Sequence, residues 1–225
     1  MENPVSAPLA ATETVPKSPV LWTVPNQITV ARLVLSIVCF VFLALDSYLI
    51  ALVLFAIAAG TDWVDGYWAR KYGQVTQVGR ILDPFADKII ICGTFIFLAA
   101  VPPINSVADS TAYQSATEIA AWMAVVVVGR EMLVTALRSF FEDHGVDFSA
   151  QWAGKWKMVF QCAVVAAAMA RLWYYDYESG SWGSVAPPLW TTLSLRALVW
   201  IAVLMTIYSG WGYVQNAFRM LTKLK

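Results

Sequence analysis

Six runs of about twenty mostly apolar residues occupy most of this chain. Runs of that length match the ~30 Å hydrocarbon core of a bilayer. Backbone polar groups at that depth must be satisfied internally, which leaves helices or closed barrels. No segment alternates with period two, so helices are expected at roughly 27–45, 48–70, 81–101, 118–140, 155–175 and 195–217. The expected fold is an all-α integral membrane protein with six transmembrane helices across residues 25–225. Arg32 interrupts the first run and makes it the weakest, with its first turns placed along the interface. Pro102-Pro103 ends the third run, and Pro187-Pro188 precedes the sixth. Residues 1–24 scatter Pro4, Pro8, Pro16 and Pro19 among Ser, Thr and Ala, and read as a flexible tail. That tail lacks the basic start and apolar core of a signal peptide.

Charge is scarce and its placement is informative. Only 13% of residues are charged, against roughly a quarter in soluble domains. The net charge is zero, which leaves no global field to recruit nucleic acid. Lys17, Arg32, Arg70, Lys71, Arg80, Lys88, Arg130, Arg138, Lys155, Lys157, Arg219, Lys223 and Lys225 fall toward one face, and only Arg171 and Arg196 toward the other. Cytoplasmic loops carry the excess of Lys and Arg, so both termini are expected in the cytoplasm. Tyr174, Tyr175, Trp182 and Trp190 suit the aromatic belt of the opposite face. Cys39, Cys92 and Cys162 each lie in an apolar run without metal spacing and read as small core residues. The lone His144 cannot build a histidine metal site and reads as a polar-loop residue.

Between the second and third runs the chain reads DWVDGYWARKYGQVTQVGRILDPFADK. Carboxylates at membrane depth are expensive and mark working sites. Asp62 and Asp65 are three apart, and Asp83 and Asp87 four apart, so each pair shares a helix face. Two antiparallel helices then aim four carboxylates at one spot, where something cationic must sit among them. All four are hard oxygen donors, which favours Mg²⁺ or Mn²⁺ over Zn²⁺. Such ions bridge carboxylates and phosphates, and polarise phosphoryl oxygens. Gly66 and Ala69 are small where a ligand or a helix approaches the backbone, and Arg70 with the 73–79 loop is placed to hold phosphates or a sugar. The competing reading is a structural ion-pair network of the aspartates with Arg70, Arg80 and Lys88.

The pattern D-x2-D-G-x2-A-R-x8-G-x3-D-x3-D is matched without departure, and the chain resembles the CDP-alcohol phosphatidyltransferase family of integral membrane enzymes. The resemblance implies that Asp62, Asp65 and Asp83 ligate divalent metals, and that Asp87 is the catalytic base and also lies at a metal. It implies that Asp65, Gly66, Ala69, Arg70 and Gly79 frame the CDP part of a CDP-lipid. It also implies a homodimer in the bacterial inner membrane and a polar cavity open to the cytoplasm. VPNQITVAR at 24–32 and LDPFADK resemble the phosphatidylglycerophosphate and cardiolipin synthase branches. GREMLVTALR at 129–138 and GKWKMVFQ at 154–161 resemble the former more. The expected substrates are therefore CDP-diacylglycerol from the membrane lipids and sn-glycerol 3-phosphate, with phosphatidylglycerol as the alternative acceptor. A cation transporter is the alternative from a different class.

An acceptor phosphate needs cations. Arg130 lies eight residues before Arg138, ~12 Å deeper on a helix, which brings it level with the aspartates. Arg130, Arg138, Lys155 and Lys157 are the expected phosphate ligands. The alternatives are an Arg130–Glu131 or Arg130–aspartate pair and lysines that meet lipid headgroups. Thr29 and Arg32 either close the CDP-lipid site from the interface or merely cap and snorkel.

Overall fold

The computed structural model describes residues 24–72, 77–102, 104–105, 113–114, 116–143, 152–179 and 188–222. The tail expected over 1–24 lies, except for its last residue, outside them. Six helices appear among the described residues: α1 (Val24–Ala44), α2 (Tyr48–Tyr72), α3 (Gln77–Ala100), α4 (Ala121–Asp143), α5 (Trp152–Ser179) and α6 (Leu189–Leu221). The only other element among them is a two-residue antiparallel ladder, β1 (Ile104–Asn105) with β2 (Tyr113–Gln114). Each apolar run became one helix, but several helices outgrow their runs. α6 has 33 residues, ~50 Å of helix, and overshoots the hydrocarbon thickness at one or both ends.

α1 ends through its backbone. Ser47 N–H bonds to Phe42 O at 2.9 Å and Asp46 N–H to Leu43 O at 3.2 Å, with Asp46 at φ 55. That is the Schellman arrangement, with aspartate in the left-handed conformation where glycine is commoner. Tyr48 Oη donates to Asp46 Oδ1 at 2.6 Å and fixes the turn that folds α2 back on α1.

α1 packs on α2 and α3, α5 on α2, α3 and α6, and α4 on α3 and α6. Phe95 and Leu98 of α3, Val127 of α4, Val164, Val165, Ala168 and Met169 of α5, and Val199 and Val203 of α6 are fully buried in one core. Small residues let neighbouring backbones approach. Gly93 makes room for a side chain instead, because a Cβ there would collide with the Cζ edge of the Phe40 ring, which stacks on Phe97 at 5.5 Å.

The polarity of a soluble protein is reversed. Val34, Ile37 and Val41 of α1 and Trp190, Leu193, Leu204 and Trp211 of α6 are exposed. Arg32, Glu131, Lys157, Gln161, Thr206 and Ser209 are buried. That exchange fits a protein whose outer surface faces lipid. Among the described residues, three helical stretches are long and apolar enough to cross a membrane: Asn26–Ala44, Gly154–Tyr175 and Leu189–Met220. α1, the weakest span by sequence, is the most apolar of the three. Arg32 does not break it, because its side chain turns into the bundle.

Candidate active site

Asp62 and Asp65 lie on α2, and Asp83 and Asp87 on α3, within unbroken helices that pack against each other. Of these four, only the Asp87 side chain falls among the described residues. The side chains of Gly66, Ala69, Arg70 and Gly79 positions also lie outside them.

Asp87 reaches across to α1. Arg32 Nη1 donates to its Oδ1 at 2.6 Å. The Arg32 side chain is 1% exposed and that of Asp87 30%. The guanidinium thus braces one side of a carboxylate whose other side opens into a cavity of ≈ 290 Å³. That pairing joins two residues whose expected roles were separate.

Lys88 of α3, Glu131 and Arg138 of α4, and Lys157 and Gln161 of α5 share the cavity wall with Asp87. Glu131 is its hub. Its Oε1 accepts from Lys157 Nζ, and from Arg130 Nη1 at 3.1 Å. Arg130 also donates through Nη2 to Ser209 Oγ of α6 at 2.7 Å, and its guanidinium lies over the Tyr213 ring at 5.5 Å. Arg138 Nη2 reaches the Tyr213 hydroxyl at 3.5 Å. The Arg138 Nε is buried with no hydrogen-bond partner among the described residues. Gln161 Nε2 donates to Thr206 Oγ1 at 3.1 Å and ties α5 to α6 beneath the cavity.

The four expected phosphate ligands therefore separate. Arg138 and Lys157 line the cavity, Arg130 stands behind Glu131, and Lys155 is exposed. Thr29 is buried on α1, one turn before Arg32. Sequence reading left Gln161, Ser209 and Tyr213 unassigned and treated Glu131 only as a partner for Arg130. One signal was present: Thr206, Ser209 and Tyr213 form a polar stripe at i, i+3 and i+7 on an apolar helix. Among the described residues, Arg32, Lys88, Arg130, Arg138 and Lys157 face two carboxylates, Asp87 and Glu131. Cations beside a carboxylate suit an acceptor that carries a phosphate.

Known proteins resemble the chain over most of its length. It is 29% identical to the CDP-diacylglycerol–glycerol-3-phosphate 3-phosphatidyltransferase of Bacillus subtilis (strain 168) over 216 residues, covering 89% of this chain and 98% of that protein. The Haemophilus influenzae protein of the same name is 27% identical, covering 87% and 94%. That of Rickettsia bellii is 28% identical, covering 84% and 92%. The family model for CDP-alcohol phosphatidyltransferases matches residues 22–209, and the chain belongs to that family.

Proposed function

We propose that this enzyme transfers the phosphatidyl group of CDP-diacylglycerol to sn-glycerol 3-phosphate, giving phosphatidylglycerophosphate and CMP. One observation carries the reading: Asp87 shares a ≈ 290 Å³ cavity with Arg138 and Lys157. A base and two anion ligands thus stand where a phosphorylated alcohol is needed. The names of the relatives support the same acceptor.

Asp87 accepts the proton of the acceptor's primary hydroxyl. The oxygen attacks the lipid-side phosphorus, the bond to the CMP phosphate breaks, and CMP leaves with that electron pair. Arg32 fixes the rotamer of Asp87. Arg138 and Lys157 hold the acceptor phosphate, while Glu131 aligns Lys157 and Arg130. Asp62, Asp65, Asp83 and Asp87 would hold Mg²⁺ or Mn²⁺, which supplies charge neutralisation at the diphosphate. Gly66, Ala69, Arg70 and Gly79 frame the cytidine end, with Thr29 at the lipid side. Positioning and electrostatics account for most of the acceleration in such transfers.

In this reading all six helices span the membrane, the cavity opens to the cytoplasm, both termini are cytoplasmic, and the enzyme is a homodimer of the bacterial inner membrane. The test is CMP release by purified enzyme with glycerol 3-phosphate, phosphatidylglycerol, inositol 1-phosphate and serine in parallel. Turnover with glycerol 3-phosphate alone is expected. Turnover with phosphatidylglycerol instead overturns the acceptor assignment.

A further inference from the structure

A second buried cation lies at the other end of α5. Arg171 is fourteen residues beyond Lys157, ~21 Å along the helix, and so across most of the bilayer from the Asp87 cavity. It lines a groove of ≈ 560 Å³ between α5 and α6 whose walls include Ala167, Ala170, Tyr174, Trp190 and Leu198. Arg171 is only 8% exposed. Its Nη2 donates to Thr192 Oγ1 at 3.2 Å, while Nε and Nη1 find no hydrogen-bond acceptor among the described residues. Glu118 is bonded to Arg196 Nε at 2.8 Å. Two arginines thus share this carboxylate's neighbourhood, and the one in the groove is not hydrogen-bonded to it among the described residues.

Buried guanidinium donors without an acceptor are costly, and a planar guanidinium is matched by phosphate oxygens. The surroundings match the rest of a lipid. Ala167, Ala170 and Leu198 offer an apolar track, and Tyr174 and Trp190 are amphipathic rings of the kind found at headgroup depth. We infer that this groove binds a membrane phospholipid, with Arg171 gripping its phosphodiester and one acyl chain lying between α5 and α6. This is a site remote from catalysis, facing the opposite leaflet.

Thermal unfolding of the full-length enzyme in nonionic detergent tests it. The probes are dioleoylphosphatidylglycerol, dioleoylglycerol and inorganic phosphate. The phospholipid is expected to raise the midpoint of the wild type by about 2–4 °C more than that of Arg171→Gln. CMP release stays near wild type in the variant. Ala170→Trp keeps the arginine and fills the track, and should remove the same increment. It decides the matter if Arg171→Gln fails to fold. Equal shifts in wild type and both variants overturn the site. So does an equal wild-type shift from dioleoylglycerol, or one reproduced by inorganic phosphate alone. If Ala170→Trp instead separates a dimer while leaving the lipid increment intact, the groove is a contact between copies and the inference fails.

Discussion

The two halves of α3 follow opposite rules. Its N-terminal half carries Asp83, Asp87 and Lys88, and the described part of it borders a cavity. The inner face of its C-terminal half is tightly packed, with Phe95 and Leu98 fully buried and Gly93 against the Phe40 ring. α1 braces both, through Arg32 on Asp87 at one level and Phe40 on Gly93 at another. The polar half leaves space and charged groups for a substrate. The apolar half leaves neither, and so fixes where the polar half stands.

If that division is real, substitutions in the two halves separate activity from stability. Asp87→Asn removes the proposed base and should lower CMP release by about 10²–10⁴-fold. CDP-lipid binding, measured by equilibrium dialysis, should survive. Full activity would remove Asp87 from the base role. Glu131→Gln blurs the division on purpose, since it strands Lys157 and Arg130. Removing one partner of a buried charge group costs about 3–5 kcal/mol, so denaturant unfolding should show a large loss along with reduced turnover. Arg138→Ala should raise the KM for glycerol 3-phosphate about 10–100-fold, the worth of a charged hydrogen bond, with the KM for CDP-diacylglycerol little changed. Arg130→Ala acts through Glu131 and should move that KM less; the reverse order would place Arg130, not Arg138, at the phosphate. Gly93→Ala forces the Phe40 ring aside and should cost about 1–3 kcal/mol of unfolding free energy, leaving both KM values alone.

The six-helix plan was legible because each helix is built on one run of apolar residues, readable without knowing its neighbours. Pro102-Pro103 did stop α3, which ends at Ala100. Ends were less legible: α3 starts at Gln77 and α6 at Leu189, since helix continues past the apolar stretch once water satisfies it. The placement of the aspartate pairs on α2 and α3 was readable from spacing alone. Partner choice was not. Arg32 finds Asp87 55 residues away, and Arg130 finds Ser209 79 residues away. Local periodicity carries no record of which helices become neighbours. Lys155 and Lys157 look alike in sequence, yet one faces outward and the other is buried against Glu131, because two residues along a helix reverse the side presented.

The Arg32–Asp87 pair sets a timetable for biogenesis. α1 precedes α3 in the chain and enters the membrane with an arginine, at a cost below the ~2.5–3.5 kcal/mol that insertion scales give at mid-helix. The compensating carboxylate is synthesised 55 residues later, roughly 3–11 s at ordinary elongation rates of about 5–20 residues per second. During that interval the first span is held at the translocon or by snorkelling, and it settles only when the third arrives.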